Sequence, residues 1–166
     1  IAGEVFLSGV IAVSRDYSTA LVRAVDNDDI DEVRDLIARG ENVNGKDENY
    51  DNITPLFVAF ENGDSEIVRL LLDTGAKVNV RDRNKQTPLM RIDDDASAEL
   101  VEILVRAGAK LNLSDNEGST ALIYASANAS TEVLAALINA GADVNIANKA
   151  GETPLMKAAD KGDIES

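Results

Sequence analysis

A chain of 166 residues that is 45% hydrophobic can bury a sizeable core, and with only 4% aromatic residues that core must be built from Leu, Val, Ile and Ala. It has neither His nor Cys, which removes imidazole acid–base chemistry, thiol nucleophiles, disulfides and zinc sites made from those ligands. A net charge of −14 opposes phosphate backbones and anionic lipid, so neither nucleic acid nor membrane insertion is expected, and a basic protein surface is the better partner.

Residues 1–18 come before the first full unit. Val5, Phe6, Leu7, Val10, Ile11 and Val13 make an apolar patch there. It reads as an N-terminal capping segment, the closing helix of a degenerate unit with Gly9 as its stop. The other reading is the remnant of a signal peptide, with Ala12-Val13-Ser14 as a small-residue cleavage site, although no Lys or Arg precedes the apolar run. The stretch is too short to cross a bilayer as a helix. Zero Cys fits a cytoplasmic protein and an exported one alike.

Residues 19–53 open with Thr19-Ala20-Leu21 and carry Gly40-Glu41-Asn42-Val43-Asn44. Leu21, Val25, Val33, Leu36 and Ile37 give two helical stripes, the second starting near Ile30 and ending at Gly40. Asp26, Asp28, Asp29, Asp31 and Glu32 crowd the start of that second helix, where the macrodipole favours negative charge. The run lacks the central Gly and closing Glu of a calcium loop. Between Asn44 and Thr54 the chain is two residues longer than between Asn79 and Thr87, and Tyr50 lies in this lengthened loop, a mild binding signal.

Residues 54–86 repeat both phrases, as Thr54-Pro55-Leu56 and Gly75-Ala76-Lys77-Val78-Asn79. Gly63 breaks the chain between two helices. Arg69 and Asp73 stand one turn apart on the solvent side of the second. Residues 87–119 do so again but depart in the middle, with Ile92-Asp93-Asp94-Asp95 where small residues belong. A helix continued there would bury Asp93, which is costly without a partner. Either Asp93 finds Arg91 or a loop donor, or the first helix of this unit is short. Consecutive helical residues point about 100° apart, so the three Asp side chains do not converge on one metal ion. Residues 120–152 return to form with Ala129 in place of a Gly, and 153–166 hold a partial fifth unit that stops after its first helix.

Thr54, Thr87, Thr120 and Thr153 recur every 33 residues, and Gly75, Gly108 and Gly141 keep the same step. A fixed period of this length means stacked supersecondary units. Each Thr stands where a helix N-cap belongs, Pro after it has no N–H to leave unpaired, and each Gly falls where a helix must end left-handed. On these phrases the chain resembles the ankyrin-repeat family over nearly its whole length. The resemblance implies an all-α solenoid of helix-turn-helix units with short β-turn fingers, about four full repeats between partial ends. It departs from the family in one respect. The position after Thr-Pro-Leu, where the family places His, holds Val22, Phe57, Met90, Ile123 and Met156.

What the resemblance implies for function is a non-catalytic protein-binding module without cofactor, metal or catalytic residues. It would use the finger tips and the exposed concave side of each first helix. Carried over position by position, that surface comprises Arg23, Val58, Arg91, Tyr124 and Lys157, then Asp26, Glu61, Asn62, Asp94, Asp95 and Asn128 one turn later. The finger tips add Tyr50, then Arg83, Asn84, Lys85 and Gln86, then Asn116 and Glu117, then Lys149 and Glu152. Tyr and Arg are overrepresented among energetic anchors, and a standard interface buries about 1,600 Å². Three further readings stand beside it. An immunity-like inhibitor could shield a basic enzyme. A structural segment could belong to a longer array, its cut fifth repeat meeting a neighbour. An enzyme could use Asp93–Asp95 with a Ser or Lys, but no phosphate loop or nucleophile elbow supports it.

Overall fold

Short helices form where a capping residue opens an apolar stripe, and the second helices end at a glycine that takes a left-handed backbone. The structure, a computed structural model, describes residues 19–48 and 51–161, the last by its backbone alone. Its elements are α1 (Ala20–Asp26), α2 (Ile30–Ala38), α3 (Pro55–Glu61), α4 (Ser65–Asp73), a 3-10 turn (Pro88–Met90), α5 (Ala98–Arg106), α6 (Ala121–Asn128), α7 (Thr131–Asn139) and α8 (Pro154–Lys161). Among the described residues there is no strand, only an isolated bridge between Asp47 and Ile53. The fold is the expected all-α repeat solenoid. Expectations for the capping segment 1–18 and for Tyr50 lie outside the described residues.

The caps follow the sequence signals. The hydroxyls of Thr19, Thr120 and Thr153 accept from the backbone N–H groups of Val22, Ile123 and Met156 at 3.2, 3.4 and 3.3 Å. Thr54, ahead of Pro55, makes no such bond. Second helices start on Asp29, Asp64, Ser97 and Ser130, each accepting from a first-turn N–H. They end at Gly40, Gly75, Gly108 and Gly141, whose φ values of +89°, +100°, +89° and +97° suit a residue without a Cβ.

Stacking places equivalent side chains in columns. Leu21, Leu56, Leu89 and Leu122 are buried in one, Ile67, Leu100 and Val133 in another, and Leu71, Leu104 and Leu137 in a third. Val22, Phe57, Met90 and Ile123, at the position that holds His in the resembling family, are all buried too. Each such aliphatic contributes about 1.5–3 kcal/mol by burial, so the units are held by their neighbours rather than by local propensity. In the fifth unit Leu155 is 77% and Met156 55% exposed, because no further layer covers them among the described residues.

Polar ladders run alongside the columns. Asn44 bridges to the next unit by donating to Gly75 O at 3.0 Å and accepting from Lys77 N at 2.7 Å, and Asn79 does the same with Gly108 and Lys110. On the outer helices Arg34 pairs with Glu66 and Arg69 with Glu99, both at 3.0 Å. Arg69 therefore reaches across to the next unit rather than along its own helix to Asp73.

The third unit resolves the choice posed by Asp93. Its first helix is a single 3-10 turn, and Asp93, Asp94 and Asp95 are exposed in the loop that follows. Ile92, only 3% exposed, fills the place of Ala24, Ala59 and Ala125, which are small enough for a first helix to lie against its neighbour. Position 93 corresponds to buried Phe60 and Ser126. Leaving the helix after Met90 keeps Ile92 in the core and spares the carboxylate that burial.

Candidate functional site

The groove is built from the fingers upward. Asp82 accepts from Asn84 N and Gln86 N at 2.9 and 2.8 Å, and Asp115 from Glu117 N and Ser119 N at 2.9 and 2.8 Å. Asn148 repeats the arrangement with Ala150 N and Glu152 N, both at 3.0 Å. Each finger thus closes around one buried or half-buried acceptor. Neighbouring fingers join through backbone bonds, Arg83 N to Asp51 O at 2.9 Å, Asn116 N to Asn84 O at 2.9 Å and Lys149 N to Glu117 O at 2.8 Å. In the lengthened first finger Asp51 and Asn52 are left-handed and Ile53 packs into the core.

First-helix positions then reach over to these fingers. Arg91 Nη2 lies 2.8 Å from Asp82 Oδ2, and its Nη1 lies 3.2 Å from Glu61 Oε1 on the preceding unit. The guanidinium also sits over the Phe57 ring, 5.6 Å from its centroid, with Nε buried and unpaired. The Tyr124 hydroxyl donates to Asp115 Oδ2 at 2.6 Å and accepts from Gln86 Nε2 at 2.7 Å. Lys157 Nζ is 2.7 Å from Glu152 Oε1. Ion pairs and hydrogen bonds therefore join Glu61, Arg91, Asp82, Gln86, Tyr124 and Asp115 in one path across three units.

Burial, then the hydrogen bond to Asp115 and its charge, push the Tyr124 hydroxyl up to about 12, against the opposing pull of Gln86 and Arg91. Burial also raises the Glu61 carboxyl, Arg91 opposes the shift, and Asp93 and Asp82 add to it. Glu152 is held low by the Lys157 ammonium and then by Asn148.

The remaining surface residues fall into different settings. Val58, expected on the exposed concave side, is instead buried and packs in the core, as its apolar side chain favours. Asn62 donates to Val25 O of the preceding unit at 3.2 Å. Arg83 donates through its guanidinium to the Glu48 carbonyl. Arg23, Asp26, Asp94, Asp95 and Asn128 are exposed. Among the described residues no group of three or more acidic side chains is placed to hold a metal ion, and no helix is long and apolar enough to cross a membrane.

The family model described as ankyrin repeats (3 copies) matches residues 21–92 and 92–166. The chain belongs to the ankyrin-repeat family. No curated protein matches it. Ankyrin repeats are generally protein–protein interaction modules and typically non-catalytic. In this ankyrin chain, the residues that sequence reasoning passed over are the finger acceptors. Asp82, Asp115 and Asn148 also step by 33 residues and stand five before each Thr, so the period alone could have found them.

Proposed function

We propose that the finger-and-first-helix side of this ankyrin stack binds a protein partner through a basic surface. The observation that carries the reading is that two first-helix cations of that side are held by carboxylates of the chain itself while a neighbouring run of carboxylates is exposed. Arg91 is engaged by Asp82 and Glu61, and Lys157 by Glu152. The carboxylates of Asp93, Asp94 and Asp95 are exposed beside them. The exposed charge of the Asp93–Asp95 loop is therefore negative, and complementary charge raises the association rate and fixes orientation. Arg91 and Tyr124 serve this surface mainly as its fixed floor, since their polar ends are already bonded within the chain.

Fluorescence anisotropy with a labelled oligolysine peptide tests the proposal. Binding is expected to weaken steeply as salt is raised through about 0.15 M, where the Debye length is about 8 Å. The combined change Asp93→Asn, Asp94→Asn and Asp95→Asn is expected to weaken it about tenfold, summing three exposed charge contacts. Equal binding by both proteins would remove the acidic loop from the contact surface.

A further inference from the structure

Asn44 and Asn79 bridge successive units in the same way, but the residues that follow them differ. Asn79 precedes Val80, and Asn112, which accepts from Asp143 N at 2.9 Å, precedes Leu113. Asn44 precedes Gly45, and the remaining Asn-Gly pair of the chain is Asn62-Gly63. Both pairs bond across the same junction, between the first and second units. Asn44 Nδ2 donates to Gly75 O at 3.0 Å and its Oδ1 accepts from Lys77 N at 2.7 Å. Asn62 Nδ2 donates back across it to Val25 O at 3.2 Å.

An asparagine amide is open to attack by the backbone nitrogen of the next residue, and glycine there leaves that nitrogen unshielded. Packing favours glycine at position 45, since an added Cβ would meet Asn42 O at 3.0 Å and Thr19 Cγ2 at 3.2 Å. In the stacked chain the atoms that would react are held apart from the reaction. Gly45 N donates to Asn42 O at 2.8 Å, and Asn44 N donates to Asn42 Oδ1 at 3.0 Å. Turning the Asn44 amide onto Gly45 N must break both of its bonds to the second unit. Parting of neighbouring units is the kind of local opening that a repeat array undergoes.

We infer that Asn44-Gly45 is a self-modifying site, converted when the first unit parts from the second. Gly45 N bonds to Asn44 Cγ, its proton leaves with the amide nitrogen as ammonia, and a succinimide closes. Water then opens the ring at either carbonyl, leaving aspartate or isoaspartate at position 44. The net exchange is water for ammonia, with no change of oxidation state. The product has lost the Nδ2 donor and sets a carboxylate opposite Gly75 O. Isoaspartate also lengthens the main chain next to the tightly packed Gly45. Restacking does not reverse the change, so each conversion weakens the junction permanently.

The test is peptide mapping by mass spectrometry of the full chain kept in mildly alkaline buffer, with and without urea. Conversion at Asn44 is expected to be about tenfold or more slower in the folded chain, the protection given by the turn bond and the two junction bonds. Asn62→Ala loosens the same junction and should speed conversion about two- to fivefold. Asn79→Ala loosens the next junction and should leave the rate at Asn44 unchanged. Asn44→Asp reports the consequence: amide hydrogen exchange should quicken in α1 and α2 and stay as it was in α5 and α7. No conversion in urea, equal rates with and without it, equal effects of Asn62→Ala and Asn79→Ala, or unchanged exchange in Asn44→Asp would each overturn the inference.

Discussion

The third and fourth repeats begin with the same phrase and part after one turn. Thr120-Ala121-Leu122 continues into the eight residues of α6, because Ala125 and Ser126 fit against the neighbouring repeat. Thr87-Pro88-Leu89 stops at Met90, because Ile92 is too large for that approach and Asp93 too polar to follow it. The columns nonetheless survive, since Leu89, Met90 and Ile92 stay buried. What the lost helix no longer supplies is replaced by Arg91, which ties the second finger to α3 through Asp82 and Glu61. A repeat array whose stability is a sum of neighbour terms tolerates such a local loss. The loss also turns three carboxylates outward.

The comparison can be broken in several places. Leu104→Ala removes a wholly buried side chain from α5 in the third repeat and should cost about 2–5 kcal/mol in urea unfolding. A value near zero would mean that this repeat is not stacked at all. Arg91→Met leaves the Asp82 side chain, 0% exposed, without its cation while two backbone N–H groups still bond it. A cost of about 2–3 kcal/mol is expected, below that of fully stranding a buried charge.

In the regular fourth repeat the corresponding change is gentler. Tyr124→Phe removes the hydrogen bond donated to Asp115 and the one accepted from Gln86 and should cost about 1–2 kcal/mol by the same measurement. Its pH dependence gives a second handle. The hydroxyl titrates at about 12 in the folded chain against 10 as its ordinary value. The folded state therefore holds the proton more tightly, and stability present below pH 10 should fall as pH rises from 10 to about 12. Tyr124→Phe should flatten that fall relative to the parent chain. The smallest effect belongs to Arg69→Ala, whose pair with Glu99 is half exposed on both sides. Less than about 1 kcal/mol is expected, and that little should vanish in high salt.

Much of this was legible in the sequence, because repetition converts local signals into confirmed ones. The threonines marked helix starts, Gly40, Gly75, Gly108 and Gly141 marked helix ends, and Asp93 marked a place that needed either a partner for its carboxylate or a shorter first helix. The roles of Arg91 and Tyr124 were not legible. Both positions face the fingers as the period implies, but whether a side chain there reaches solvent or a neighbour depends on how closely finger and helix approach. Arg91 meets Asp82 nine residues back and Glu61 thirty back, and nothing in either spacing announces a shared guanidinium. Nor does the sequence announce that Lys85, at φ +62°, takes the left-handed backbone that Gly118 and Gly151 take in the next two fingers.

The truncated first helix supports both the acidic loop and the placement of Arg91, and backbone chemical shifts read it directly. Residues 92–96 should show non-helical Cα shifts while 121–128 in the fourth repeat show helical ones. Helical shifts running unbroken from Pro88 through Asp95 would bury Asp93, take the acidic loop away from the surface and contradict the groove built on it.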